Sequence, residues 1–423
     1  MQNSVHLLGA RRFLPLFVTQ FLGAMNDNLF KNAMVLFVVY NVYSDPQQEE
    51  QFSGLATALF ILPFFLLSAV AGQLADARDK AQLVRWVKAA EVGIMLVGAV
   101  GLLIANIPLM LTALVAMGVH STFFGPIKYA ILPQHLQHDE VLGGTGLIEA
   151  GTYIAILAGT IIAGFINAQA AAGVVIVIAV IGWISGREVP AAPPVGVPAP
   201  VDLNIFRASY RLVSGTMHIP RLFLAIISIS FFWTIGSVLF IQFPPLVKNV
   251  LTSDKEVASL FLAIFSIGIA IGSIVINRLL HSEVSARYAP GSVILMGIFI
   301  IAFYLVARSW VPDNNGTLYG MIDFMSHPGA VPLTITLLGI AIAGGMFVVP
   351  LYAFLTTTVP ISETARTVAA NNIVNAGCMV AGSAMALGLS ALGVSAVDQL
   401  LLTAAMCLVS AWLAWKLHKA CDQ

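Results

Sequence analysis

Charge is scarce in this sequence. Only 9% of its 423 residues are charged, whereas an average soluble domain has about 25%. Hydrophobic residues make up 59% of the chain, and a protein core cannot bury such an excess, so much of the apolar surface must face lipid. The 20 basic and 20 acidic residues cancel, which excludes a global field that would attract nucleic acid. Three cysteines predict no disulfide framework.

Apolar runs recur along the whole chain, and each is long enough to cross a hydrocarbon core about 30 Å thick. They predict an all-α membrane protein with twelve transmembrane helices, near residues 13–43, 52–74, 83–105, 108–133, 142–167, 170–186, 222–247, 257–280, 288–307, 332–357, 367–391 and 395–416. With the N-terminus inside, fifteen basic residues fall at cytoplasmic ends and loops and three on the outer side. Because basic residues favour the cytoplasmic side, both termini are predicted to be cytoplasmic.

A proline-rich segment divides the chain into two halves. Residues 187–220 begin with REVPAAPPVGVPAPVDL, whose prolines favour an extended connector, and continue into an amphipathic surface segment. The predicted domains are therefore a bundle at 1–186, a cytoplasmic linker and a second bundle at 221–423. FFGPI and LIEAG in the first half resemble FVVPL and IVNAG in the second, at offsets of 224 and 226 residues. Six plus six helices with a parallel repeat predict a secondary transporter that rocks about a central site.

The loop after the second span reads GQLADARDK at residues 72–80. It resembles the G-x-L-A-D-R-x-G-R/K loop of the major facilitator superfamily, although Ala77 and Asp79 replace the usual arginine and glycine. The resemblance predicts a gating latch at the cytoplasmic side. Its glycine would allow close approach of helices, and its acid would bind a helix N-terminus or a base. The predicted latch residues are Gly72, Asp76, Arg78 and Lys80.

Charged and amide residues lie inside the spans of the first half. Asp27 and Lys31 share one helical stripe with Gln20, and Asn28 adjoins it. Lys128 and Glu149 have similar depths in the fourth and fifth spans and could pair. Ionisable groups at this depth are costly and often functional, although bridges between helices are the alternative. Lys88 and Glu91 are interpreted as a pair at a helix end, and His120 as isolated in its span.

The second half differs, because its spans contain no charged residue at membrane depth. Its polar groups are amides and hydroxyls, of which Gln242 is the predicted contact with substrate. Phenylalanine and aliphatic residues fill the seventh and tenth spans, and such stripes are more often packing than ligand site. A cavity that is polar on one wall and apolar on the other suits an amphiphile better than a sugar.

Several segments together resemble the bacterial lysophospholipid transporter family of the major facilitator superfamily. They are QFLGAMNDN at residues 20–28, GQLAD at 72–76, GPIKYAILP at 125–133 and GLIEA at 146–150. The resemblance implies inward flipping of lysophospholipids, chiefly lysophosphatidylethanolamine, for reacylation at the cytoplasmic leaflet of the inner membrane. It assigns site roles to Asp27, Lys128 and Glu149, and implies an acyltransferase/acyl-carrier-protein synthetase as functional partner. We expect a monomer.

The predicted mechanism divides the headgroup between two sets of charges. Lys128, with Glu149 beside it, attracts the phosphate; Asp27, with Lys31, attracts the ammonium; and the acyl chain stays against apolar helices. One alternative is a proton-coupled exporter of drugs or metabolites, since an intramembrane acid can carry a proton. Another is a membrane scaffold that positions an acyltransferase. The sequence shows no metal cluster, nucleophile elbow or phosphate loop, so no enzyme activity, metal or cofactor is predicted.

Overall fold

The computed structural model describes residues 4–137, 140–194, 200–280, 285–312, 317–359 and 361–421. A short 3₁₀ helix, Ser4–Gly9, precedes the first long helix, and a π-helical turn, Val38–Val42, follows it. The α-helices in chain order are α1 (Leu14–Phe37), α2 (Pro46–Ala77), α3 (Lys80–Leu103), α4 (Ile107–Ala130), α5 (Leu132–His135), α6 (Val141–Phe165), α7 (Ala168–Arg187), α8 (Ile205–Met217), α9 (Pro220–Asn249), α10 (Lys255–Leu279), α11 (Ala289–Arg308), α12 (Met321–Ser326), α13 (Ala330–Thr357), α14 (Ile361–Ala391) and α15 (Ala396–Cys421).

Twelve of the helices in the described ranges have 20 residues or more, whereas α5, α8 and α12 are short. Ten of the described helices are long and apolar enough to cross a membrane, and Ala150–Phe165 within α6 is a shorter apolar stretch. The other long helix, α1, is interrupted by the polar residues of its second half. The predicted twelve-helix membrane protein is confirmed, and each predicted span corresponds to one long helix.

Helix α2 begins earlier than the sequence predicts, at Pro46 rather than near residue 52. Asp45 explains the earlier start, because its carboxylate accepts the backbone N–H of Gln47 at 3.0 Å and its carbonyl accepts that of Glu49 at 3.1 Å. A capping acid followed by proline is a typical helix start. Glu49 therefore belongs to the first turn of α2 and Glu50 follows it, and both are buried.

The first compact unit contains Met1–Phe37 and Leu62–Ser209. In it α1 packs against α6 and α7, and α3 packs against α4 and α7. Gly159 lets α6 approach α1 closely, because a Cβ at this position would collide with the Met25 carbonyl oxygen. Small residues at such crossings are the usual basis of helix packing in lipid, where the hydrophobic effect does not draw helices together.

The second compact unit contains Val38–Ile61 and Tyr210–Gln423. Here α9 packs against α14 and α15, α10 against α13, and α11 against α13 and α15. Phenylalanines fill its interior: the ring centroids of Phe243 and Phe261 are 5.9 Å apart, and those of Phe261 and Phe303 are 6.1 Å apart, both edge to face. These rings are buried. Phe243, one of the phenylalanines of the predicted seventh span, is therefore a packing residue.

The two units repeat one packing scheme. The pairs α1 with α6, α3 with α4, and α3 with α7 recur as α9 with α14, α11 with α13, and α11 with α15. Pro126 within α4 and Pro350 within α13 occupy the related positions that the sequence offset predicts. The structure thus supports the predicted parallel duplication. The unit boundaries fall at the end of α1, inside α2 and inside α8, and the domain limits at 186 and 220 stay a prediction.

The loop between α2 and α3 is attached to the proline-rich linker. Asp79 caps α3 by accepting the N–H of Ala81 at 2.9 Å, and the same oxygen accepts the N–H of Ala192 at 3.3 Å. The Lys80 N–H donates to the Ala192 carbonyl at 3.0 Å, and Lys80 is buried. Asp79, which replaces the usual glycine of the motif, therefore holds this loop in place.

Two other latch residues, Asp76 and Arg78, are exposed. The predicted close approach of helices at Gly72 is wrong for this structure, since a Cβ there would meet no described atom within 4 Å. Asp79 immediately precedes α3 and caps it, whereas the predicted contact of the motif acid Asp76 with a facing helix N-terminus or a base stays a prediction. A gating role for the loop stays a prediction.

Candidate functional site

The polar residues in α1 face several neighbouring helices. Asn26 is fully buried and donates to the Glu91 carboxylate of α3 at 2.9 Å and to the Val175 carbonyl of α7 at 3.2 Å. Gln20 is also buried and accepts a hydrogen bond from Thr152 of α6 at 2.8 Å. Polar side chains in a membrane span are satisfied by other helices because the hydrocarbon offers no partner. Gln20 is therefore a helix contact rather than part of an open cavity wall.

Lys88 and Glu91 of α3 form an ion pair in the interior of the first unit. Lys88 Nζ and Glu91 Oε2 are 2.6 Å apart, with side chains 0% and 1% exposed. His120 Nε2 of α4 lies 3.3 Å from the same carboxylate oxygen. The interpretations of a helix-end pair and an isolated histidine are therefore wrong, because α3 buries the pair between its neighbours. The sequence carried a signal against a helix-end position, because Glu91 is about 12 Å inside a span predicted to start at residue 83.

A glycine and an aromatic ring make room for the Lys88 ammonium group. A Cβ at Gly23 of α1 would collide with Lys88 Nζ. The Phe124 ring of α4 has its centroid 4.9 Å from Nζ, which is cation–π range. Since the ammonium also pairs with Glu91, its charge is compensated where water is excluded. Loss of one partner of such a pair costs about 3–5 kcal/mol, because it leaves the other charge unpaired.

Asp27 is the acidic residue of α1, and it is half-buried. Ser121 of α4 donates its hydroxyl to Oδ2 of Asp27. Among the described residues, Oδ1 of Asp27 has no hydrogen-bond partner. Lys31, one turn further along α1, interacts with Asp27 electrostatically. A carboxylate oxygen without a donor is suited to accept a hydrogen bond from a ligand ammonium group.

Lys128 of α4 is half-buried, and its position links α4 to α6. Its Nζ is 3.5 Å from the Thr152 hydroxyl oxygen and 4.8 Å from the centroid of the Tyr129 ring. Lys128 is seven residues beyond Ser121 on the same helix, which is about 10 Å along the axis. The base and the Ser121–Asp27 bond therefore lie on one face of α4, two turns apart.

Two predicted site residues, Asn28 and Gln242, have other partners in the described structure. Asn28 donates to the Ala24 carbonyl of its own helix at 2.9 Å. Gln242 is 1% exposed and donates to Gln399 of α15 at 2.6 Å. The Glu149 side chain lies outside the described residues, so its pairing with Lys128 stays a prediction. The substrate roles of all three also stay predictions.

Sequence reasoning missed a buried ion pair in the second unit. Lys248, predicted to lie at the outer side of the seventh span, contacts Glu49 at the start of α2. Its ammonium also donates to the carbonyls of Val39 and Tyr43, and Asn249 donates to the second Glu49 oxygen at 2.6 Å. Glu49 is fully buried. The sequence offered one signal for the role of Glu49: it lies only three residues after Pro46, in the first turn of a capped helix.

Two six-helix repeats with buried ionisable side chains define a polytopic membrane protein of the secondary-transporter class. A sequence profile of the Major Facilitator Superfamily matches residues 16–383, and the chain belongs to this family. Solved structures share the fold. The auto-inhibited POT family peptide transporter superposes with a TM-score of 0.69 at 12% identity, covering 97% of each chain. The human organic anion transporter MFSD10 gives 0.67 at 12% identity, covering 96% of this chain and 99% of that one.

Curated relatives are similar over most of their length. The lysophospholipid transporter LplT of Photorhabdus laumondii is 25% identical over 358 residues, which cover 83% of this chain and 81% of the relative. The LplT of Cronobacter sakazakii is 26% identical over 358 residues, covering 82% and 81%. That of Escherichia coli O157:H7 is 24% identical over 368 residues, covering 84% and 83%. The family and these names point to a transporter.

Proposed function

We propose that this protein is a secondary transporter that moves lysophospholipids across the membrane. The observation that carries the proposal is the face of α4 on which Lys128 and the Ser121–Asp27 bond lie about 10 Å apart along the axis. An acid and a base at this separation suit a zwitterionic headgroup. The relatives named as lysophospholipid transporters support the same substrate class over 80% or more of this chain.

Each charge has a separate task in the proposed mechanism. Lys128, with Glu149 on the following span, attracts the headgroup phosphate. Oδ1 of Asp27, which has no hydrogen-bond partner among the described residues, accepts the ammonium group, and Lys31 limits the negative charge at this position. Gln242 is buried in the second unit. It is therefore proposed to influence the substrate without touching the headgroup. The acyl chain stays against apolar helix surfaces or lipid, so only the headgroup needs a polar path.

The proposed direction is inward, from the outer to the cytoplasmic leaflet of the bacterial inner membrane, with both termini cytoplasmic. A lysophospholipid delivered to the cytoplasmic side would be a substrate for an acyltransferase/acyl-carrier-protein synthetase, which we propose as the functional partner. The protein is proposed to work as a monomer without a cofactor. A proton-coupled exporter of drugs or metabolites, or a scaffold, would lack net inward movement of labelled lysophospholipid.

Proteoliposomes that contain the purified chain and fluorescent lysophosphatidylethanolamine test the proposal. Reduction of the label by dithionite outside the vesicles reports how much lipid remains in the outer leaflet. Wild type is expected to move the lipid inward, while Asp27→Asn and Lys128→Gln each slow transport at least tenfold, because each removes a charge on the headgroup. Asp398→Asn and Lys416→Gln, both on exposed residues, are the matched controls. Absence of movement by wild type, or wild-type rates in both site variants, would contradict the proposal.

A further inference from the structure

His120 is held between two acceptors in the interior of the first unit. Its Nε2 lies 3.3 Å from Glu91 Oε2, and its Nδ1 lies 3.3 Å from the Ser121 hydroxyl oxygen. The Ser121 hydroxyl is used as a donor to the Asp27 carboxylate. A hydroxyl has one proton to donate. Ser121 therefore cannot donate to Asp27 and to His120 Nδ1 at the same time.

The protonation state of His120 decides which groups donate and which accept along the contacts of His120 with Glu91 and Ser121 and of Ser121 with Asp27. A neutral imidazole has one N–H, whereas an imidazolium has two. Only the imidazolium places positive charge 3.3 Å from the Glu91 carboxylate at Nε2 and at the same time donates from Nδ1 to the Ser121 oxygen, which leaves the Ser121 proton on Asp27. In the neutral ring one nitrogen lone pair faces an acceptor oxygen. Where that nitrogen is Nδ1, it competes with Asp27 for the Ser121 proton.

We propose that His120 is a proton-binding site and that Ser121 couples its occupancy to the headgroup site at Asp27. This inference rests on the proposed function, in which Asp27 receives the ammonium group. A proton on His120 fixes the Ser121 hydroxyl on Asp27 and adds positive charge near the carboxylate. Both effects weaken the attraction of Asp27 for a second cation. Proton binding at His120 and ammonium binding at Asp27 therefore oppose each other, and linkage makes this opposition reciprocal.

Charged groups on the helices packed against α4 keep this site close to electrical balance. Helix α1 contributes Asp27, with Lys31 one turn away, and α3 contributes Lys88 and Glu91, which pair with each other. Helix α5 also contacts α4 and carries His135, whose Nε2 lies instead 3.3 Å from the Ala191 carbonyl of the linker. Helix α6 contributes the Thr152 hydroxyl beside Lys128.

His120 supplies the imidazole of this cluster. Its ring also stacks on Phe124, with centroids 6.2 Å apart. This contact fixes the plane in which its two nitrogens point, so the ring cannot turn away from Glu91 and Ser121 without losing it.

The experiment measures binding of lysophosphatidylethanolamine to the full chain in phosphatidylcholine nanodiscs between pH 5.5 and 8. Titration calorimetry in buffers with different ionisation enthalpies gives both the affinity and the number of protons released. We expect binding to be at least fivefold weaker at pH 5.5 than at pH 8, in the usual range of coupling between sites. Proton release is expected in the range where histidine titrates. Lysophosphatidylglycerol, which lacks the ammonium, is expected to release none.

His120→Gln is expected to bind with one affinity across the pH range and to release no proton. The matched control is His218→Gln, at an exposed histidine, which should keep the wild-type pH dependence. Ser121→Ala separates coupling from structure, because it leaves the His120–Glu91 contact in place but removes the shared hydroxyl. This variant should lose most of the pH dependence while it still binds the lipid.

Two results would overturn the inference. Wild-type binding with no pH dependence and no proton release would remove the proton site and leave lysophospholipid transport standing. Unchanged pH dependence in His120→Gln would place the titrating group elsewhere. A complete lack of lysophospholipid binding by wild type at every pH would refute the proposed function as well, and the two failures are therefore distinguishable.

Discussion

Glu91 is the residue on which the buried network of the first unit depends. Lys88 of its own helix, Asn26 of α1 and His120 of α4 all contact its carboxylate. A carboxylate in the membrane interior is stable only when such partners compensate its charge. Because the three partners lie on three helices, Glu91 also fixes how α1, α3 and α4 pack.

A double-mutant cycle on Lys88 and Glu91 tests this account. Lys88→Met and Glu91→Met alone should each lower the free energy of unfolding by about 3–5 kcal/mol, because each leaves one buried charge unpaired. The double variant should lose less than either single variant, since no unpaired charge remains. Reversible unfolding in mixed micelles gives the three values. The same cycle on the exposed pair Arg308–Asp398 should give a coupling of about 1 kcal/mol or less, and equal couplings for the two pairs would contradict the account.

At the scale of the element, the sequence predicted what depends on local pattern. Apolar runs defined the twelve long helices, and the i, i+4 spacing placed Asp27 with Lys31. It could not show which helix faces lie against one another. The contact of His120 with Glu91 joins residues of two helices, and no periodicity within either helix encodes it. The sequence did not predict the cap at Asp79, because the family motif has glycine at this position.

The two acids of the loop between α2 and α3 should differ in their effect on stability. Asp79→Ala removes the N-cap of α3 and the bond to Ala192, and should cost about 0.5–2 kcal/mol. Asp76→Ala, at an exposed position, should change the free energy of unfolding by about 0.5 kcal/mol or less. Unfolding of both variants in parallel checks the difference. A larger loss for Asp76→Ala would show that the motif acid, and not Asp79, holds the loop.

The N-terminal 3₁₀ helix should be attached to α6 in a pH-dependent way. The Gln137 N–H, with His6 and Arg12, holds the pKa of Glu140 below its ordinary value of 4.5, and Arg12 Nη2 lies 2.7 Å from the carboxylate. A lowered pKa means that folding favours the ionised form of Glu140. Its contribution to the stability of the folded state is therefore complete above about pH 4.5 and disappears as the pH falls through the lower pKa of the folded state. The difference in unfolding midpoint between wild type and Glu140→Gln should therefore be constant from pH 7 to 5 and shrink below that. A difference that grows on acidification would contradict this sign.

At the scale of the whole molecule, sequence order and compact unit do not coincide. Val38–Ile61 precedes most of the first unit in the chain, yet it belongs to the second unit. Its contacts are specific: Glu49 pairs with Lys248, Gln47 donates to the Ser390 carbonyl at 2.8 Å, and Glu50 accepts the Ala396 N–H at 2.9 Å. The two sequence halves are therefore joined by packing as well as by the proline-rich linker.

Separate expression of the two sequence halves tests this joint packing. Fragments 1–194 and 200–423, which both end at the described edges of the linker, should co-purify through a tag on the second fragment, because Val38–Ile61 completes the unit that the second fragment builds. Glu49→Ala in the first fragment should lower the recovered ratio several-fold, since it leaves the Lys248 ammonium unpaired. Asp398→Asn in the second fragment should leave the ratio unchanged, as expected for an exposed pair. Fragments that purify separately, or a ratio indifferent to Glu49→Ala, would mean that the linker alone holds the halves of the chain together.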